Sequence, residues 1–459
     1  MGYLMVLSVG PVQEFIATAR RSRDLWFGSW LLSEISKAAA KTIDRHEGCE
    51  LIFPAIEKKE DLDPVVYTEG KLMFGTGFNV VNKIVALIAI APKPLGEKIE
   101  KAMKDRLETI RGKAFKDIKG KRYIDDKKAS AQVADLIEFY WAAHLVKDDL
   151  SDYRQARDEA EALLAARKNL RNFVQPEDWS DYLPKSSLDG FRESVIQESA
   201  YDKLDKDALR KQLDVREGER LCGVGLLKRH GNRQGDDSFF STSHVAALPL
   251  MDNLRNESLK DESLRVGNKK AFDKYLEKLK ELGVKDHDFN SVPVPKGTTS
   301  HPVFGRSDGH LIFSERLGEF FDTNAKDKAQ AAENKGKLKQ AKSALDELLK
   351  DNLKVKSPKP YYALLHADGD RMGEAIDAQD SKANHKAISK CLSEFATTVR
   401  RIVEEEHSGS LVYAGGDDVL AFLPLHEALF CARKLADEFR KAMSQFSYKD
   451  KEDVDRQPT

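Results

Sequence analysis

The chain has few cysteines, no long apolar run and almost no net charge. Its four cysteines, Cys49, Cys222, Cys391 and Cys431, include no CxxC pair, so the sequence predicts no disulfide framework and favours a reducing cytoplasm. No segment reaches the roughly 18 apolar residues of a membrane span, and the short apolar start lacks the basic region of a signal peptide. The formal net charge is -1, so any contact with nucleic acid must come from local patches or partner subunits.

The composition is that of a large folded protein. With 459 residues, the chain is long enough for about three domains. Apolar residues make up 41%, which supports buried cores, and charged residues make up 33%, which indicates extensive solvated helix surface.

Patterns typical of strands and helices alternate along the first 150 residues. Strand patterns lie at residues 3–9, 51–53, 64–67, 79–91 and 136–146, and helical patterns at about 12–43 and 95–118. Apart from one additional strand pattern between the two helices, the order is the β-α-β-β-α-β of the split βαβ, or ferredoxin-like, unit. Residues 1–150 are therefore predicted to form one domain.

The final segment, residues 356–459, repeats most of that order. Strand patterns lie at 361–367, 411–414 and 419–423, and helical patterns at 384–406 and 425–443. The order β-α-β-β-α matches the first unit without its last strand, which indicates an internal duplication. Residues 151–355 are irregular but mostly helical, and a charged helix is predicted at about 324–351. The predicted fold is α+β: two ferredoxin-like domains flank a mixed, largely helical domain, and the second is incomplete at its C-terminus.

Carboxylates stand at two places in the final segment. Asp368-Gly369-Asp370 follows its first strand, and Asp417-Asp418 lies in the turn between its two hairpin strands. Neighbouring strands of such a sheet would bring these carboxylates together as hard oxygen ligands, which suit Mg²⁺. Two such ions can hold the attacking and leaving oxygens of an in-line displacement, as nucleotidyl transfer requires. The alternative is an ordinary β-turn, because Gly-Asp turns are common.

Two glycines precede the paired aspartates. Gly415 and Gly416 can adopt a positive φ in a tight hairpin. Without side chains they also leave room for a triphosphate to approach the backbone. The combination therefore favours a nucleotide-binding, metal-dependent hairpin over a plain turn.

Several separated motifs resemble a known family. The segment His366-Ala-Asp-Gly-Asp-Arg-Met-Gly373 and the segment Tyr413-Ala-Gly-Gly-Asp-Asp-Val-Leu420 resemble the second palm domain of the large subunit of type III-B (Cmr) CRISPR effector complexes. The runs Ser8-Val-Gly-Pro-Val-Gln-Glu-Phe-Ile16 and Arg20-Arg-Ser-Arg-Asp-Leu-Trp-Phe-Gly-Ser29 are similar to the first palm of that family. Three middle stretches are also similar: Lys185–Gly190, Leu221–Arg229 and Leu311–Leu317. The resemblance covers nearly the whole chain.

The resemblance implies a function. Binding of a foreign transcript to guide RNA in the complex activates a palm site that joins ATP into cyclic oligoadenylates, with Mg²⁺ or Mn²⁺ as cofactor. The implied partners are other Cmr subunits, the CRISPR RNA and the target RNA, with no membrane. Asp368, Asp417 and Asp418 are the implied catalytic metal ligands.

The resemblance also implies a nucleotide-binding set. Ser8 and Gly10 would line a second ATP pocket at the interface of the two palms, and the alternative for both is a plain strand end and turn. Asp370 either binds metal or caps the following helix. The predicted nucleotide-binding residues are Ser8, Gly10, Gly369, Asp370, Gly415 and Gly416.

Three features depart from the family pattern. The chain starts on the palm strand rather than with an HD nuclease domain, and His287-Asp288, the one His-Asp dipeptide, has no paired histidine ligands. Cys222, with His230 and His244 nearest in sequence, does not supply four zinc ligands, so no zinc site is predicted. Finally, the chain ends at Thr459, before the last palm strand. An exposed strand edge, lower solubility and weak cyclase activity are therefore expected without a complementing fragment.

Two other functions remain open from the sequence. One is a non-catalytic scaffold of the same complex, which would anchor the guide RNA and neighbouring subunits. The other is a stand-alone, GGDEF-like nucleotide cyclase, against which the duplicated unit and the large middle region count.

Overall fold

The computed structural model describes residues 2–68, 71–74, 78–170, 182–231, 240–285, 289, 292, 300–325, 327–449 and 454–459. Its strands are β1 Gly2–Gly10, β2 Cys49–Phe53, β3 Val66–Thr68, β4 Lys71–Phe74, β5 Lys83–Ile88, β6 Glu138–Val146, β7 Tyr362–Ala367, β8 Ser410–Gly415, β9 Asp418–Pro424, β10 Tyr448–Lys449 and β11 Asp455–Arg456.

The first seven helices are α1 Gln13–Ala17, α2 Ser22–Asp44, α3 Pro92–Lys116, α4 Asp126–Ala134, α5 Tyr153–Asn169, α6 Glu198–Lys203 and α7 Lys206–Leu213. The others are α8 Gly223–Gly231, α9 Thr242–Lys260, α10 Glu262–Glu281, α11 Lys328–Asp346, α12 Met372–Asp377, α13 Lys382–Arg400 and α14 Ala428–Met443. Short 3₁₀ segments lie at Lys59–Leu62, Lys121–Tyr123, Gly309–Ile312 and Arg316–Phe320, and π-helical turns extend α11 and α13 over Glu347–Asn352 and Arg401–Glu406.

The first sheet has the strand order β2-β5-β1-β6 with antiparallel neighbours. Its central strand β1 is apolar on both faces because both faces are covered. Met5 and Leu7 join the core formed with α2 and α3, whereas Leu4 and Val6 face α5. This arrangement explains why β1 is a continuous apolar run rather than an alternating one. We call β1–β6 with α1–α5 the first unit.

The second sheet has the order β8-β9-β7, again antiparallel. This order repeats β2-β5-β1 of the first sheet, so the predicted duplication of a ferredoxin-like arrangement is confirmed. Helices α13 and α14 cover one face of this sheet, and the other face meets α2 and α9. Within the described residues no strand pairs with the outer edge of β7. We call β7–β9 with α12–α14 the second unit.

The region between the units is mainly helical and has a core of its own, built from α9, α10, α11 and the 3₁₀ segments. Other residues of this region, between Val195 and Leu227, join the core of the first unit instead. Helix α5 also packs on the first sheet. The domain limits at 150 and 355 remain predictions.

The predicted helix at 12–43 is interrupted between α1 and α2. At this break the carbonyl oxygens of Phe15 and Thr18 accept hydrogen bonds from the buried ammonium of Lys228. A side chain distant in sequence therefore ends α1, which a local pattern could not reveal. Helix α12 was also not predicted, because its 6 residues are too few to show a helical period.

Two further sequence observations concern the His287-Asp288 dipeptide and membrane-spanning segments. His287-Asp288 lies outside the described residues. Among the helices that are described, none is both long and apolar enough to cross a membrane.

Candidate functional site

A cleft of about 770 Å³ lies between the two units, a volume within the usual range for small-molecule sites. Ser8 and Gly10 at the end of β1 form part of one wall, and Asp368 and Asp418 form part of the other. Residues about 360 positions apart in the sequence thus face the same space.

Strand alternation explains why these residues share the cleft. Ser8 and Gly10 are two positions apart, as are His366 and Asp368 on the opposite wall. Because side chains in a strand alternate between faces, Ser8 and Gly10 lie on the α5 face of the first sheet, which Leu4 and Val6 share, and His366 and Asp368 lie on the face of the second sheet opposite α13 and α14. The intervening residues enter the hydrophobic cores.

The hairpin has a two-residue loop, because Gly415 pairs with Asp418. Gly416 has a φ of 84°, as predicted for a tight hairpin. The same prediction for Gly415 is wrong, because Gly415 is not among the described glycines with positive φ. Gly415 is required for space instead: a Cβ there would lie 1.6 Å from the hydroxyl oxygen of Tyr413.

The paired aspartates have raised pKa values. Burial, followed by the charge of Asp368, raises the pKa of Asp417 to about 6. Burial also raises the pKa of Asp418 to about 6, helped by a hydrogen bond with the Asp368 side chain. The pKa of the Tyr413 hydroxyl is raised as well, by burial and by the two aspartates. Such crowded carboxyl groups are costly to ionise together unless a cation neutralises them.

The donor set is chemically suited to Mg²⁺, which takes one or two carboxylates together with substrate phosphates and water. Asp368 and Asp418 supply two such carboxylates at the cleft. In the described part of the chain, no group of three His, Cys, Asp or Glu side chains converges on a single ion position. A metal-ligand role for Asp368, Asp417 and Asp418 therefore stays a prediction.

The Asp-Gly-Asp turn packs directly on the hairpin. A Cβ on Gly369 would lie 2.7 Å from Phe439 Cζ and 2.9 Å from Asp417 Cβ, so glycine allows Asp368 to approach the hairpin. Asp370 is exposed, and its carboxylate lies 3.5 Å from the Thr459 hydroxyl, which donates to it. Helix α12 has Arg371 at its N-cap and no side-chain cap, so the helix-capping alternative for Asp370 is wrong. Its metal- and nucleotide-binding roles remain untested predictions.

Sequence reasoning missed several residues that line the cleft: Gln13, Asn82, Glu138, Tyr140, Lys168, His366 and Tyr413. Two of them follow from the pairing of β6 with β1, in which Tyr140 lies opposite Ser8 and Glu138 opposite Gly10. The pairing register of β6 with β1 could therefore have identified Tyr140 and Glu138. The others depend on the packing of the two units.

A buried interface holds the two units together. Arg157 on α5 is fully buried, and its guanidinium donates to the carbonyl oxygens of Ile376, Asp377 and Gln379 at 3.1, 2.7 and 2.9 Å. Tyr153 and His385 share a hydrogen bond of 2.8 Å. Because these contacts reach the end of α12, they fix the segment that follows Asp368 against the first unit.

The three residues considered for zinc lie in separate environments. Cys222 accepts a hydrogen bond from the Gly225 amide at 3.3 Å. His230 Nε2 bonds to the Leu213 carbonyl at 2.9 Å, and His244 Nδ1 accepts from the Gly309 amide at 2.9 Å. Each side chain thus has a local structural partner.

Comparisons with known proteins match both units. A family model described as the second palm domain of Cas10/Cmr2 matches residues 361–454, and one described as the N-terminal domain of CRISPR-associated protein Cmr2 matches residues 4–112. The CRISPR system Cmr subunit Cmr2 of Pyrococcus furiosus (strain ATCC 43587 / DSM 3638 / JCM 8422 / Vc1) is 24% identical, over 97% of this chain and 56% of the relative. The chain thus spans about half the length of the curated relative that it matches.

Solved structures are also similar. A cryo-EM structure of type III-B Cmr-beta in the apo state matches with a TM-score of 0.48 and 14% identity, over 95% of this chain and 61% of that chain. The same complex bound to cognate target RNA matches with a TM-score of 0.48 and 13% identity, over 95% and 62%. The second unit is thus similar to the second palm domain of Cas10/Cmr2, the first unit is similar to the N-terminal domain of Cmr2, and the curated relative aligns along almost the whole chain.

Proposed function

We propose that this chain is a subunit of a type III-B CRISPR ribonucleoprotein and that its cleft joins ATP into cyclic oligoadenylates when target RNA binds. The observation that carries the proposal is the placement of Ser8 and Gly10 opposite Asp368 and Asp418 around one cleft. Two nucleotides held by two pseudo-equivalent walls would face each other there. Other Cmr subunits, CRISPR RNA and target RNA are the proposed partners.

In the proposed reaction, a ribose hydroxyl oxygen of one ATP attacks the α-phosphorus of another. A new phosphodiester bond forms, the bond from the α-phosphorus to the bridging oxygen breaks, the hydroxyl proton passes to water, and pyrophosphate leaves. Mg²⁺ or Mn²⁺ would neutralise phosphate charge and hold the reacting oxygens in line. Asp368, Asp417 and Asp418 would hold the ions.

The rest of the site would position the nucleotides. Gly416 keeps the hairpin tight, and Gly415 leaves space that the Tyr413 hydroxyl occupies. Small residues at the end of β1 allow a nucleotide to approach the backbone of the first unit. Positioning and charge neutralisation are the main requirements of such a transfer.

The test is product analysis by mass spectrometry, with ATP, Mg²⁺ and target RNA added to the reconstituted complex. We expect oligoadenylates from the natural sequence and none above background from Asp417→Ala/Asp418→Ala. Asp148→Ala/Asp149→Ala is the matched control, since it removes an exposed adjacent acidic pair from outside the cleft. An unchanged yield from the first double variant would show that the site is wrongly assigned.

A second candidate is a non-catalytic scaffold of the same complex. It is favoured by the observation that, in the part of the chain described, three carboxylates do not converge on one ion position. A scaffold would assemble normally with the other subunits and RNA, and the double aspartate variant would behave as the natural sequence does in every assay.

A further inference from the structure

The cleft is acidic. Asp368 and Asp418 line one wall, and Glu138 lines the other. A nucleoside triphosphate carries several negative charges, and an acidic cleft of low dielectric would repel it. Metal ions at the aspartates would neutralise the phosphates nearest to them, but the remainder of the triphosphate would still need a cation.

One cation is available on the wall of the first unit. Lys168 lies in the last turn of α5 and is the only Lys or Arg among the described residues that line the cleft. Its side chain is exposed and forms no hydrogen bond or ion pair with any residue in the described ranges. Its ammonium is therefore available to a ligand.

The neighbouring cation is already engaged. The Arg167 guanidinium lies 5.3 Å from the centroid of the Tyr140 ring and donates to the Leu170 carbonyl at 2.6 Å. Arg167 does not line the cleft. Two adjacent basic residues thus differ in role: one closes the helix end and the other faces the cleft.

The helix that carries Lys168 is firmly held. Tyr153, Ala156, Ala160 and Leu164 along α5 are buried against the first sheet, and Arg157 joins the same helix to the second unit. A lysine at the end of a fixed helix can only reach a limited volume, which here is the cleft.

We propose that Lys168 binds the β- and γ-phosphates of the nucleoside triphosphate held between the two units. This inference rests on the proposed function. An ammonium acts as a compact point charge that suits phosphate oxygens. Lys168 of the first unit would thereby hold the β- and γ-phosphates, while the aspartates of the second unit would hold the metal ions that contact the same nucleotide.

The test is calorimetric titration of the purified chain with ATP, ADP, AMP and adenosine in Mg²⁺. For Lys168→Ala we expect ATP affinity to fall about tenfold, the size of one charge-assisted hydrogen bond. The loss should shrink from ATP to ADP to AMP and vanish for adenosine, and Lys168→Arg should restore most of it. Lys339→Ala, which removes an exposed lysine of α11 outside the cleft, is the control.

Each of the other outcomes would contradict a specific part of the proposal. Equal losses for ATP and adenosine would show that Lys168 supports the fold rather than the phosphates. ATP binding unchanged in Lys168→Ala would overturn the phosphate role but leave the nucleotide cleft intact. If the natural sequence binds none of the four ligands, both the phosphate role and the proposed function fail.

Discussion

The two units share one topology and differ in what they present to the cleft. The order β2-β5-β1 in the first sheet corresponds to β8-β9-β7 in the second. At the cleft, however, β1 ends in small uncharged residues, whereas β7 and its neighbouring hairpin end in aspartates. The shared fold therefore does not decide the chemistry of the cleft; the side chains at the strand ends do.

The units also differ at one edge. Strand β6 pairs along the full length of β1, whereas the corresponding edge of β7 has no partner strand among the described residues. Leu364 on β7 is 58% exposed, and Tyr362 is 40% exposed. An apolar strand with an open edge is a template for pairing with another chain.

The largest effect is expected from Arg157→Ala, which tests whether the two units stabilise one another. Arg157→Ala leaves three carbonyl oxygens of the second unit without their buried donor, so we expect a loss of about 3 kcal/mol or more in unfolding free energy. Urea denaturation should then show the units separating into two transitions. Arg154→Ala, exposed on the same helix, should change little, and a single unshifted transition in Arg157→Ala would refute the coupling.

The next largest effect concerns the contribution of each wall of the cleft to oligoadenylate synthesis. Asp368→Asn should reduce oligoadenylate synthesis by at least about 100-fold, because a neutral amide cannot replace a carboxylate at a metal. Ser8→Ala, on the opposite wall, should cost less than about tenfold, since it removes one neutral hydrogen-bonding group. The readout is initial rate by chromatography of labelled products, and equal losses would contradict the division of roles.

A smaller effect concerns stability and pH. The folded-state pKa of Asp417, about 6, exceeds that of an unfolded aspartate, about 3.9. Its favourable contribution is therefore present below pH 4 and lost as the pH rises through 6. At pH 8, Asp417→Asn should stabilise the chain by about 1 kcal/mol, and at pH 4 by nothing, in thermal unfolding without divalent ions. A stabilisation independent of pH would contradict this reasoning.

The smallest effect concerns the open edge. Leu364→Lys should change unfolding free energy by less than about 0.5 kcal/mol but reduce self-association, because a lysine on an edge strand opposes pairing. Leu259→Lys, which changes a 74% exposed position on helix α9, is the control. Light scattering that falls equally in both variants would show that general solubility, rather than the strand edge, is responsible.

Local patterns predicted most of the elements that carry the site. The strand β1 was recognisable because a doubly covered strand must be apolar at every position, and the hairpin because paired glycines separate two short apolar runs. The need for glycine at Gly416 could be predicted from the backbone of a tight hairpin. The need for glycine at Gly415 could not, because it comes from the neighbouring Tyr413 side chain. The break after α1 was missed because Lys228, more than 200 residues later, supplies the bonds that end it.

The sequence alone indicated the carboxylate chemistry of the cleft. The Asp-Gly-Asp and Gly-Gly-Asp-Asp segments, and their spacing on strands of a duplicated unit, indicated a carboxylate site before any packing was known. Tertiary structure decided which residues face those carboxylates. The register of β6 brings Tyr140 and Glu138 beside Ser8 and Gly10, and the packing of α5 places Lys168 at the cleft. Contacts of this kind depend on how complete surfaces fit together, so no local run of residues encodes them.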